Sequence, residues 1–410
     1  MRKDPGEPTR SSFGNTDAVC RSTQWPLYIC CFGSMASMRM CDSMLPALAG
    51  EFAVPADRAS QAISLFAVAY GVFQLCSGPL GDRFGKMRVI ALSAAACALG
   101  NIGVCVAGSL NELLAARLCS GAAAAGIVPL TMAWIGDHGP DGERQVALAR
   151  LLGATVLGMI AGQWGGGALA SALGWRSSFM SIGAVFALGS LMVRSVSLRF
   201  PRDTPAKQQA FVRQTIGILG VSWVRLVLLV TFVEGMFAYS ALAFMPTYLN
   251  TSFALPASEA GLIAASYGMG GLIFSLSSKR VIRRLMDVRL ARVGGLLLAI
   301  ALVTLAASPF WWLSVPACAL AGFGFYAFHN VLQNHAAQMA PQARGTAVSL
   351  FSCVLFLGQS FGIALGAWSI GHASVRILFA VCALGLLVLA VVFAHLVKAR
   401  HAPQMPGVLE

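Results

Sequence analysis

Two acids, Asp42 and Glu234, lie well inside long apolar stretches of this 410-residue chain. A carboxyl group removed from water can take up a proton, receive a cationic group, or commit its charge to a structural hydrogen bond or ion pair. Arg39 precedes Asp42 by three residues and shares its helix face. Arg117 stands in another apolar stretch, so Arg39, Asp42 and Arg117 form a candidate charge triad in which a structural salt bridge is the favoured role for Asp42. Arg117 itself either snorkels to an interface or faces inward and biases the charge of a nearby acid. Glu234 lies roughly nine residues into its run, about 13 Å deep at 1.5 Å per residue, near a bilayer midplane. Proton coupling or cation recognition is its first reading, a purely structural hydrogen bond its second. Tyr239, Tyr326, His329, Asn330, Gln359 and Gln163 are further candidate cavity groups, although Tyr239 need not share the face of Glu234. His329 reads first as a satisfied interior histidine. Trp164 and Trp311 read as interfacial belt or packing residues.

Other chemistries lack their residues. The six histidines show no metal-ligand spacing, the 11 cysteines include no Cys-x-x-Cys pair, and no nucleophile is set beside a base. The stretch Gly81-Asp82-Arg83-Phe84-Gly85-Lys86-Met87 has the wrong spacing for a phosphate-binding loop and no hydroxyl residue after the lysine. The chain reads as neither an enzyme nor a cofactor protein.

These residues need helices to hold them. The chain is 57% hydrophobic and 11% charged, with 43 glycines, against about 25% charged in soluble domains. Its apolar runs are long and continuous, which excludes an outer-membrane barrel. Spans are expected at 25–46, 59–79, 88–109, 112–135, 146–171, 177–195, 223–248, 258–278, 290–308, 311–333, 345–369 and 374–397. The fold class is therefore all-α and polytopic, with twelve transmembrane helices. The expected division is a polar tail 1–24, a bundle 25–195, a linker 196–222 carrying Pro201 and Pro205, a bundle 223–397 and a tail 398–410. With both termini cytoplasmic, 24 of the 29 basic residues fall on the cytoplasmic side and only Arg58, Arg176 and Arg376 on the other. The net charge of +13 is thereby a topology signal and no sign of nucleic-acid binding.

The halves repeat. At an offset of 200, Arg144 matches Arg344, and Gly158, Gly162 and Gly166 match Gly358, Gly362 and Gly366. At an offset of 197, Tyr70-Gly71 matches Tyr267-Gly268. Glycines four apart line one helix face and admit a close neighbour. Two pseudo-symmetric six-helix bundles follow, an arrangement used by secondary carriers with a site between the halves.

The loop Gly78-Pro79-Leu80-Gly81-Asp82-Arg83-Phe84-Gly85-Lys86-Met87-Arg88 resembles the signature loop of the major facilitator superfamily. Arg117 followed by Gly121 resembles the family's second motif, and Gly158 to Gly167 its exporter motif with Gln163 in place of proline. Asp42 to Pro46 is similar to a segment of its drug and metabolite proton antiporters. The resemblance implies a conformational latch of Gly78, Asp82, Arg83, Gly85, Lys86 and Asp137, with Asp82 at the N-terminal end of the eleventh span near Gly345 and Lys86 reaching toward Asp137. It also implies alternating access with proton-coupled efflux of a small organic compound. Proton-linked uptake is the alternative, and the missing proline weakens the inference of direction. The expected partners are substrate, protons and lipid, in a monomer in a bacterial inner membrane.

Overall fold

The computed structural model describes residues 11–138, 144–198, 211–340 and 344–401, and among them every regular element is helical. Ten helices are long and apolar enough to cross a membrane, counting the first two segments of the fourth expected span together. The outer parts of both expected tails and much of the linker lie outside the described residues, as do the surroundings of Arg344 and Gly345, so the expected contact of Asp82 near Gly345 falls outside them too.

Helix α1 (Ser11–Arg39) begins well before the expected start at 25. The apolar run then breaks where the chemistry was expected: a 3-10 turn holds Met40–Asp42, and α2 (Leu45–Glu51) follows with Pro46 in its first turn. A proline tolerates that position because no backbone donor is needed there, and it disfavours helix in the residue before it. Asp42 thus sits on a turn with its side chain buried. Next come α3 (Ala56–Phe84) and α4 (Lys86–Cys105), joined by Gly85 at φ 89°, a conformation that glycine adopts without strain. The fourth span is two helices, α5 (Leu110–Ala124) and α6 (Ile127–His138); Pro129 in the first turn of α6 has no backbone donor to continue α5.

Helices α7 (Arg144–Leu173) and α8 (Trp175–Ser197) complete the first set. A short α9 (Phe211–Leu219) lies within the expected linker. It leads to α10 (Ser222–Phe253), α11 (Ala257–Ala307), α12 (Ser314–Gln338), α13 (Arg344–His372) and α14 (Val375–His401). The 51 residues of α11 would be about 77 Å long as one rod, against a hydrocarbon core of about 30 Å. The rod is divided at Met286 (φ 56°, ψ 169°), so the expected basic loop is a single non-helical residue flanked by helix.

Close packing follows the repeat. A side chain at Gly158, Gly162 or Gly166 of α7 would strike the carbonyl oxygens of Phe32, Ala36 and Met40 on the first helix run. At Gly358 and Gly362 of α13 it would strike those of Phe232 and Met236 on α10, and at Gly366 the Ser240 hydroxyl. Both ladders and both targets are offset by 200 residues. Gly121 of α5 packs in the same way on the Phe66 carbonyl of α3.

Two seams join the sets, α3 with α13 and α7 with α11. The apolar core is one cluster at the end away from the termini, where Met44 and Ile63 pack with Leu242, Phe244 and Phe379. At the terminus-bearing end it divides: Leu27, Met87, Trp134 and Val193 belong to one cluster, and Val224, Phe328, Ala336 and Val397 to another. The apolar core is thus continuous at one end and divided at the other.

Candidate functional site

The broken first helix delivers the first half of the site. Arg39 Nη2 lies 2.7 Å from Asp42 Oδ2, and both side chains are fully buried. Gln163 of α7 donates its amide to the same oxygen at 3.5 Å. Asp42 Oδ1 and the Nε and Nη1 groups of Arg39 have no hydrogen-bond partner among the described residues. A buried polar atom in that condition is costly unless something else meets it.

Arg117 acts on Asp42 through its charge but makes no direct ion pair with it. It is buried, so it does not snorkel, but it turns to the Ala62 carbonyl (3.0 Å from Nε) and the Ser37 hydroxyl (3.3 Å from Nη1), with its guanidinium 4.1 Å from the centre of the Phe66 ring. No ion pair joins it to an acid among the described residues. A carbonyl and an aromatic face accept a cation without a formal counter-charge.

The second half of the site comes from α10 and α12. Glu234 is fully buried, and its Oε2 lies 2.9 Å from Nδ1 of His329. Glu234 Oε1 has no hydrogen-bond partner among the described residues. The group that meets the interior His329 is thus the buried acid itself. The sequence contained both residues, but nothing in it fixed the register of α10 against α12.

Aromatic rings join the two halves. Arg39 approaches the Tyr239 ring at 5.6 Å, Tyr239 meets Phe325 at 5.4 Å, and Phe325 stacks on His329 at 5.1 Å. Tyr239 does share a surface with Glu234, through these rings. Phe325 was not among the expected residues; it precedes His329 by four, the spacing that places two side chains on one helix face. Tyr326 also contacts Phe325 and fills the space beside Gly271, while Asn330 is half-buried. Gln359 of α13 is fully buried, with neither amide atom bonded among the described residues. The phenol of Tyr267 is buried and equally unpaired, although the repeat pattern offered it only as a marker of symmetry. Trp164 and Trp311 are exposed, as belt residues are.

The signature loop has the expected reach of Lys86 to Asp137 but departs from a latch between the two sets, and from the expected glycine, in this conformation. Lys86 reaches Asp137 at 2.8 Å and Asp82 at 3.8 Å, but all three belong to the first set of helices, so these bonds do not hold the two sets together in this conformation. Gly78 is exposed and a side chain there would meet nothing, whereas Gly81 is the glycine pressed against Leu130. Arg83 lies over the ring of Phe84 at 5.2 Å. The α3–α13 seam is carried instead by Ser360, whose hydroxyl donates to the Ser64 carbonyl at 2.8 Å, and by Tyr70 against Phe356.

Known proteins share this arrangement. The family model described as Major Facilitator Superfamily matches residues 27–334 and, overlapping, 227–407. An uncharacterised MFS-type transporter of Bacillus subtilis, YceJ, is 22% identical over 328 residues, 79% of this chain and 83% of that protein. The quinolone resistance protein NorB of Staphylococcus aureus is 26% identical over 171 residues, 40% of this chain and 34% of that protein. Among solved structures, a bacterial homologue of the human lysosomal transporter Spinster, inward-facing and occupied, superposes with a TM-score of 0.76 at 17% identity, covering 99% of this chain and 100% of that one.

Proposed function

The chain belongs to the Major Facilitator Superfamily, a multi-pass membrane transporter of a small substrate, and we propose that it couples movement of that substrate to protons through the Glu234–His329 pair. The observation carrying this reading is a buried carboxyl group 2.9 Å from an imidazole. Such a pair can pass one proton between carboxylate and imidazole with modest change in local charge. The two helix sets rock about the polar seam from Arg39 to Gln359 in alternating access. With the basic ends cytoplasmic, the parted end of the core opens to the cytoplasm. The likeness to a quinolone resistance protein supports efflux of an organic compound by antiport.

Uptake with protons is the second reading, and one observation favours it. The first set buries two arginines, Arg39 and Arg117, against a single acid, Asp42. An anionic cargo would balance that excess, and its charge would favour protonation of Glu234–His329 at the same time. Flux in sealed vesicles with imposed pH gradients separates the readings. Accumulation driven by an acidic interior in inside-out vesicles supports efflux, and entry with protons into right-side-out vesicles supports uptake. Glu234→Gln is expected to abolish gradient-driven transport and leave substrate exchange. Gradient-driven transport at the original rate in this variant would remove Glu234 from the coupling role.

A further inference from the structure

At an offset of 197 residues, Asp82, Arg83 and Lys86 of α3 correspond to Lys279, Arg280 and Arg283 of α11. In the first half, Lys86 is answered by Asp137 and Asp82. In the second half the acid has become Lys279. The nearby acid Asp287 faces α12, where Asn334 donates to it at 3.5 Å and His335 lies 3.8 Å away. Lys279, Arg280 and Arg283 therefore project from one helix end with no acid paired to them among the described residues. They line a cavity of about 550 Å³ together with Ile273, Leu276 and Ser277.

The cavity is graded along the helix. Ile273 and Leu276 are 53% and 81% exposed at its apolar end, and the three cations form the other. The ten steps along the helix from Ile273 to Arg283 rise about 15 Å, half of a hydrocarbon core of about 30 Å. A hydrocarbon tail beside an anionic head has this polarity and this length. Inorganic phosphate would use the cations but not the apolar surface.

We propose that this face of α11 binds an anionic phospholipid, whose headgroup supplies the counter-charge that Asp82 and Asp137 supply in the first half. The acyl chain lies along Ile273 and Leu276, and the phosphodiester meets Lys279, Arg280 and Arg283. Basic residues at the membrane surface attract acidic lipid, each changing affinity about fivefold, and removing two charge units should weaken binding roughly 30-fold.

The test is native mass spectrometry of the full chain in detergent, titrated separately with phosphatidylglycerol and phosphatidylcholine. Selective retention of phosphatidylglycerol is expected. Lys279→Asp restores the charge pattern of the first half and should cut that retention by roughly 30-fold, as should Arg280→Gln with Arg283→Gln. Arg194→Gln, an exposed cation elsewhere on the first set, should leave retention unchanged. Thermal unfolding in detergent confirms that each variant is folded, and the two independent α11 variants keep the test decisive if one is not. Equal retention of both lipids, or undiminished phosphatidylglycerol in a folded α11 variant, overturns the proposal. Displacement of the lipid by millimolar inorganic phosphate also overturns it, since the site would then serve a small free anion.

Discussion

A carboxyl group at mid-membrane depth persists only where a partner or a proton answers it, and the Glu234–His329 contact supplies both possibilities. Their magnitudes differ enough to tell them apart. Interhelical hydrogen bonds in membranes average about 0.6 kcal/mol, whereas removing one member of a buried ion pair costs about 3–5 kcal/mol. We expect His329→Gln and Glu234→Gln each to abolish proton-driven flux, with the double variant no worse than either, because both residues serve one proton. Unfolding in detergent then measures the pair: a loss near the lower figure identifies a neutral hydrogen bond, and one near the upper an ion pair. Arg117 presents the complementary case. Arg117→Met takes away the donor that meets the buried Ala62 carbonyl and Ser37 hydroxyl, so it should destabilise the protein by about 1–3 kcal/mol. Loss of transport in that folded variant would mark the charge as functional, and unchanged transport would mark it as packing. The sequence made Arg39, Asp42 and Glu234 visible because a charge inside an apolar run is conspicuous. The alliance of Glu234 with His329 was not visible, since it depends on how α10 and α12 align, and neither were the direct partners of Arg117, because a carbonyl and an aromatic ring leave no charge signature to read.

At the scale of helices, the glycine ladders were legible because a four-residue spacing has one geometric meaning, a face that admits another backbone. A side chain at Gly162 or Gly362 meets a carbonyl oxygen of the facing helix, and backbone cannot yield as the end of a flexible side chain can. Gly162→Ala and Gly362→Ala should each destabilise the protein by about 1–3 kcal/mol, while Gly153→Ala, with nothing within 4 Å, should not, as detergent unfolding would register. The signature loop divides in the same way. Gly78→Ala should be silent, but Gly85→Ala places a side chain at φ 89°, a left-handed conformation costing about 1–2 kcal/mol for other residues. The breaks inside the first and fourth spans were less legible, because hydropathy registers apolar length and is indifferent to whether the helix is continuous. Pro46 and Pro129 were the available signals, and each lies just past its break rather than at it.

For the whole molecule, the decisive contact is the α7–α11 seam at the end where the apolar core is continuous. Ser43, on the turn after Asp42, sits against both Gly167 and Gly261, and a side chain at Gly261 would strike the carbonyl oxygen of Gln163. Gln163 donates its side-chain amide to Asp42. The buried charge pair and the seam therefore share one residue, so a change at Asp42 has a direct route to the contact that joins the helix sets there. Gly261→Val should pry this seam apart without touching the charged side chains. The helix sets are also held together along the α3–α13 seam by the Tyr70–Phe356 and Ser64–Ser360 contacts, so the molecule should open at the α7–α11 seam instead of falling apart. Spin labels at Arg58→Cys on α3 and Arg376→Cys on α14, exposed residues near the continuous end of the core, report the motion by pulsed electron resonance. The label separation should shift to longer distances in Gly261→Val, and Asp42→Asn should shift it in part by loosening Gln163. An unchanged distance distribution in Gly261→Val would mean that the apolar cluster around Phe244 and Phe379, and not the glycine seam, keeps the end closed.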